Sequence, residues 1–429
     1  MASIVVRRVL LLSLVSLALL LGANGLKYTQ EVKNERRPAV FLDSFVFYPG
    51  GVLNASLSMN LDGMTATTHT VGLFAVISKS QQAVFSFTES RCPLDPAVLS
   101  ALNGNHTSLK FHSLVLSNDE KPVSLEVNRA LQGMWRVHLV VCGPISSPYK
   151  AKLVLSMDNV DSSGNSNYLP AGEIPMPWLF LYLGAGYFVL LLLWTNIAMC
   201  SPHRQVNAIH WIMTILLVFK SLSVFSESFM YFTMAATGEP KGWNIAFYVF
   251  QTIRALLLFL IILMIGSGWQ MIKAYISDSD KYIFIAVIPL QVAANIGISV
   301  CEDRGIRNMW FYFFHVLDII CCILVLLPIL RNIEAYQGKA DTDMKIKRLL
   351  EKLQHLRRFY IIVVAYIYVT RILGTVLNTF LPIGMVWMSS LIVELFTLAF
   401  YILAGYEFRP AKDNTFFHSI EDEKQTHHI

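Results

Sequence analysis

Seven hydrophobic stretches fill residues 178–406, and they leave this part of the chain almost no alternative organisation. A bilayer core about 30 Å thick takes about 20 apolar helical residues to cross, because backbone facing lipid must be paired within its own segment. The stretches read as spans over residues 178–200, 208–232, 244–272, 282–300, 309–330, 359–380 and 383–406. Composition agrees: the chain is 55% hydrophobic and only 15% charged, against about 25% charged in soluble domains. The expected architecture is an all-β lumenal sandwich followed by an all-α seven-helix transmembrane bundle.

The ends set the orientation. Arg7 and Arg8 precede an apolar run over residues 9–21 that is too short to span, and Ala23-Asn24-Gly25 supplies small residues for cleavage. Residues 1–25 therefore read as a signal peptide, with an uncleaved anchor as the alternative. Signal cleavage places residues 26–157 in the lumen or outside the cell. The sequons Asn54-Ala55-Ser56 and Asn105-His106-Thr107 both fall there, which makes Asn54 and Asn105 the predicted glycosylation sites. Basic residues give an independent reading. The inner loops carry Arg204, Lys273, Lys281, Arg331, Lys339, Lys345, Lys347, Arg348, Lys352, Arg357 and Arg358, and the outer loops only Lys241, Arg304 and Arg307. That asymmetry follows the positive-inside rule and puts the tail, residues 407–429, in the cytosol. The net charge of +5 reflects topology and does not point to nucleic acid.

Within residues 40–157, Leu53, Ala55, Leu57, Met59 and Leu61 alternate with polar residues, the period of a half-buried strand. Similar runs over 39–48, 70–78, 83–88, 109–117, 122–128, 134–142 and 149–157 predict about eight short strands and a sandwich. Cys92 and Cys142 are the two cysteines of this region, and an oxidising compartment favours their pairing over two buried thiols. Residues 158–177 begin with a stretch rich in Asp, Ser, Gly and Asn and read as a linker. His69, His106, His112 and His138 lack metal spacing, and no carboxylate pair stands out, so no catalytic residue, metal or cofactor is expected.

Ionisable residues inside the spans are the informative ones: Lys220 and Glu227 in the second, Arg254 in the third, His315 and Asp318 in the fifth, Arg371 in the sixth and Glu394 in the seventh. Each costs several kcal/mol facing lipid and so belongs in the bundle interior. Their formal charges balance, which suits a closed salt-bridge network. Their spread over five helices suits a polar cavity for a ligand or lipid head group. Both readings stand at this level.

The run Gly266-Ser267-Gly268-Trp269, Asp280-Lys281, Ile288-Pro289-Leu290-Gln291 and Asn295 resembles the lung seven-transmembrane receptor-like family, as does Gly405-Tyr406-Glu407-Phe408-Arg409-Pro410. The order of signal, sandwich and seven spans matches as well. The resemblance implies a GOLD-like lumenal domain and a bundle able to accept lipid. It also implies a non-enzymatic role in Golgi or membrane trafficking, and plant members are described as candidate G-protein-coupled receptors. The partners it implies are membrane lipid, a lumenal protein or ligand, and cytosolic sorting factors or a G protein. Rhodopsin-type motifs are absent: the third span ends Trp269-Gln270-Met271, and the seventh Leu403-Ala404-Gly405-Tyr406. Phe416-Phe417 and Glu421-Asp422-Glu423 resemble cytosolic sorting signals. A plasma-membrane receptor is the second reading.

Overall fold

The structure is a computed structural model. It describes residues 27–60, 70–79, 92–105, 109–116, 122–143, 149–161, 164–199, 208–266 and 380–409, with scattered positions between 290 and 377. The amino-terminal part contains β1 (Lys27–Glu35), β2 (Ala39–Phe47), β3 (Val52–Asn60), β4 (Thr70–Ser78), α1 (Pro96–Asn105), β5 (Leu109–Val115), β6 (Val123–Glu126), β7 (Gly133–Cys142), β8 (Tyr149–Val160) and β9 (Ser166–Asn167). The strands form two antiparallel sheets, ordered β1-β8-β3-β6, with β9 beside β8, and β2-β7-β4-β5. Their facing sides bury Phe45, Phe47, Leu53, Leu57, Trp135, Leu139 and Leu153 in one core. In β3 the period-2 pattern does what it predicts: Leu53, Ala55 and Leu57 point inward while Asn54, Ser56 and Ser58 are half-buried.

Three elements depart from the sequence expectation, the short β9 within the linker being the smallest. The strand β1 was not expected, and α1 interrupts what was read as an all-β domain. Asp95 caps α1, its carboxylate accepting the Ala97 N–H at 2.9 Å, with Pro96 at the first helical position. Asn103 then acts as a strand partner for β5: its amide donates to the Phe111 carbonyl at 3.0 Å and accepts the Phe111 N–H at 2.8 Å. Leu99 and Leu102 of α1 pack with Phe74, Val76, Phe111 and Val140 on the outer face of the second sheet. That sheet is therefore covered on both sides, which is why residues 71–77 of β4 are all buried. The predicted strand at 83–88 lies outside the described residues. A disulfide joins Cys92, just before α1, to Cys142 at the end of β7, with Cα atoms 5.6 Å apart.

The carboxy-terminal part contains α2 (Met176–Met199), α3 (Ala208–Thr237), α4 (Trp243–Gly266) and α5 (Val386–Glu407), the last preceded by a 3-10 turn, Ile383–Met385. Among the described residues, Met176–Ala198, His210–Thr237 and Ile383–Glu407 are long and apolar enough to cross a membrane. Every described position between 290 and 380 is helical and falls within one of the expected spans. Tyr182, Val189, Leu192 and Leu193 of α2 are exposed, as a lipid-facing side requires.

Residues 158–177 carry the chain from sandwich to bundle, and they do so as packed structure. Asn159 is fully buried, and its side chain accepts the Tyr48 N–H at 2.8 Å and donates to the Val46 and Leu169 carbonyls, both at 3.0 Å. The Ala171 N–H donates to the Val46 carbonyl at 3.0 Å. On the bundle side, the Tyr168 N–H donates to the Ala235 carbonyl at 3.1 Å and the Trp387 N–H to the Gly172 carbonyl at 3.2 Å. Gly172 lies so close to the Ile383 carbonyl that no side chain fits there. One strap thus bonds β2 to the ends of α3 and α5.

Candidate functional site

Three helices converge on one carboxylate inside the bundle. Lys220 of α3, 1% exposed, places its Nζ 2.8 and 2.7 Å from the two carboxylate oxygens of Glu394 on α5. The Tyr187 hydroxyl of α2 donates to Glu394 Oε2 at 2.8 Å and lies 3.2 Å from the Glu394 carbonyl. The ammonium also stands over the Tyr187 ring, 4.8 Å from its centroid. At a rise of about 1.5 Å per residue, Tyr187 and Glu394 lie about 17 and 12 Å from the sandwich-side ends of their helices. That depth is well inside a hydrocarbon layer about 30 Å thick.

Aromatic hydroxyls surround the pair. Tyr401 lies two helical turns beyond Glu394 on the same face, its ring 6.0 Å from Tyr187. Tyr366 stacks on Phe400 at 4.2 Å and hydrogen-bonds Thr397, with 3.3 Å between the two hydroxyl oxygens. Arg254 of α4 interacts electrostatically with Glu394, Tyr187, Tyr366 and Tyr401, and Glu227 of α3 with Lys220, Arg254 and Glu394. Among the described residues neither Glu227 nor Arg254 makes a hydrogen bond or ion pair, and both are only part-buried. The Lys220–Glu394 pair is closed, while two further charges stand beside it without a direct partner among the described residues.

Of the site residues expected from sequence, the structure groups Lys220, Glu227, Arg254 and Glu394. His315, Asp318 and Arg371 lie outside the described residues. The sequence reading did not find Tyr187, Tyr366, Thr397 and Tyr401. The available signal was Glu394, Thr397 and Tyr401 at helical spacing, one face of α5.

A second polar cluster ties the same helices at the far end. His210 is fully buried, with its Nε2 3.1 Å from the Phe408 carbonyl beyond α5. The Trp194 Nε1–H donates to the Thr214 hydroxyl at 3.1 Å, and that hydroxyl donates to the His210 carbonyl at 2.8 Å.

In the sandwich, Asn54 stands on the outward polar face of β3, opposite Ser124 and Ser156 on its neighbours. Asn105 ends α1, and the rest of its sequon lies outside the described residues. Burial pushes His112 and His138 below the ordinary imidazole range, which keeps them neutral near pH 7. Among the described residues no group of three His, Cys, Asp or Glu is placed to hold a metal ion.

The family described as GOST, seven transmembrane domain, matches residues 175–415. A curated relative, protein candidate G-protein coupled receptor 6 of Arabidopsis thaliana, is 34% identical over 268 residues, covering 61% of this chain. The match spans 62% of that relative's length.

Proposed function

The chain belongs to the GOST seven-transmembrane family, and from that premise we propose a receptor-like role in the secretory pathway, without enzymatic chemistry. The sandwich faces the lumen and recognises a protein or ligand, while the bundle holds the polar head group of a membrane lipid. The tail, with Phe416-Phe417 and its acidic run, faces cytosolic sorting factors in Golgi and membrane trafficking. The basic inner loops and the sequons at Asn54 and Asn105 support this orientation.

One observation carries the lipid reading. Glu227 and Arg254 stand beside a closed Lys220–Glu394 pair with no hydrogen bond or ion pair among the described residues. A purely structural network neutralises its charges by contact, because an unpaired charge in low dielectric is expensive. Separated opposite charges among tyrosine hydroxyls instead match a head group carrying both signs. His315, Asp318 and Arg371 belong to the same layer in this reading. Lipid identification by mass spectrometry on the purified protein tests it. The expected result is one co-purifying lipid class that Glu227→Gln and Arg254→Gln both deplete. Lipid content equal to bulk membrane in wild type and variants rejects the reading.

The second reading is a plasma-membrane receptor coupled to a G protein, favoured by the name of the Arabidopsis relative. Steady residence of a tail-tagged chain at the cell surface, with ligand-dependent nucleotide exchange on a purified Gα subunit, supports it against the first.

A further inference from the structure

Three helices build the intramembrane ion group, and the strap holds the sandwich-side end of each. It runs directly into α2, which begins at Met176 and bears Tyr187. On α3, which bears Lys220, the Tyr168 N–H donates to the carbonyl of Ala235 in the last turn. On α5, which bears Glu394, the Gly172 carbonyl accepts the N–H of Trp387, the second helical residue. Both are groups that a helix cannot satisfy from within, and Met385 at the N-cap of α5 makes no side-chain capping bond. Peptide groups of the strap therefore act as end caps for two helices.

The sandwich side is fastened as closely. Strand β2 is the edge of its sheet among the described residues. Its Val46 carbonyl and Tyr48 N–H are taken by the Asn159 side chain and the Ala171 N–H. The Tyr48 hydroxyl also lies beside Gly384, in the turn before α5. Leu169, Ala171, Met176 and Ile383 are all buried along the strap, so undocking would expose four apolar side chains. We propose that the strap is a mechanical relay: it makes the position of β2 and the geometry of the Lys220–Glu394–Tyr187 group one equilibrium, so that what binds the sandwich regulates the bundle site.

A slack linker lets one domain swing against another. Here a shift of β2 either breaks several hydrogen bonds at once or takes the ends of α3 and α5 with it. Trp387 and Glu394 share a face of α5 two turns, about 10 Å, apart, and Trp387 packs against the cluster that includes Met176 and Phe180 of α2. Movement at the start of α5 is thus delivered to a carboxylate whose three contacts with Lys220 and Tyr187 are all 2.7–2.8 Å long. Coupling of this kind is reciprocal, so disturbing the ion group loosens the strap. As regulation of the bundle site the relay rests on the receptor-like reading above; the coupling itself requires no bound lipid.

Amide hydrogen exchange on the full-length protein in nanodiscs reads the reverse direction. The probe is the Ala171 N–H, which bonds β2, and the reference is Leu139 in the sandwich core. Glu394→Gln is expected to cost Ala171 about tenfold in protection, the scale of one hydrogen bond, with Leu139 unchanged. Should that variant not fold, Tyr187→Phe, which deletes one bond to Glu394 and keeps the ring, should lower Ala171 in the same sense. Wild-type protection at Ala171, or a fall shared equally by Leu139, overturns the relay. The forward direction is read from the distance distribution between spin labels at exposed positions of α3 and α5. Asn159→Ala should broaden it, while an unchanged distribution in a folded Asn159→Ala protein also overturns the relay. Neither readout depends on lipid content, so a bundle found empty of lipid would reject the head-group reading and leave this test intact.

Discussion

At Glu394 a single side chain serves α2, α3 and α5, so its removal is felt by all of them. Glu394→Gln leaves Lys220 charged and buried against a neutral amide, and the expected loss is about 3–5 kcal/mol. Thermal melting of the purified protein should show a clear fall in midpoint. The double change Lys220→Met with Glu394→Leu removes both charges and should recover most of that loss; equal melting of single and double variants is incompatible with a closed pair. The ions of this site were legible in the sequence because a charge in an apolar run has few places to go. Their pairing was not. Lys220 and Glu227 share a face of α3 but lie about 10 Å apart along it, so the lysine reaches across to Glu394. Tyr187, Tyr366 and Tyr401 are silent in the sequence for a different reason: tyrosine is ordinary in membrane helices, and only the fold brings the Tyr187 hydroxyl onto Glu394 and the Tyr401 ring beside Tyr187.

Among the elements, the strap and α1 show where composition misleads. The Asp, Ser, Gly and Asn of residues 158–167 have the look of a loose connector, yet Asn159 spends its amide on three backbone groups. Polar residues that satisfy buried backbone have no apolar period for a reader to find. In α1 the capping signal Asp95-Pro96 was present, but the surrounding strands gave the segment a β context. Strand β3, half-buried with strict alternation, was read correctly because its two faces differ. Two changes probe these elements. Gly172→Ala forces a methyl group into the Ile383 carbonyl, so protection at the Trp387 amide should fall at least tenfold. Gly186→Ala, where nothing lies within 4 Å, should leave it unchanged. Replacing Cys92 and Cys142 by serine opens a crosslink with a sequence separation of 50. Chain entropy alone puts that at about 4 kcal/mol, to be read from chemical denaturation of the sandwich.

At the scale of the whole molecule, the order of sheets followed by membrane helices was plain from hydropathy, since bilayer thickness sets the length of each apolar run. Orientation is open to a direct check. In sealed vesicles whose interior is lumenal, added protease should trim the tail after Arg409 and leave the sandwich intact; the reverse pattern inverts the topology. Helices α2, α3 and α5 are fastened at three heights, the first between α2 and α3 alone. Near the sandwich, the Ser228 hydroxyl donates to the Pro177 carbonyl at 2.8 Å. Midway stands the Lys220–Glu394–Tyr187 group, and at the far end Trp194, Thr214, His210 and Phe408 close the set. Held at these points, the three helices keep one register along their length, so a probe pair placed within the trio should report a single fixed distance.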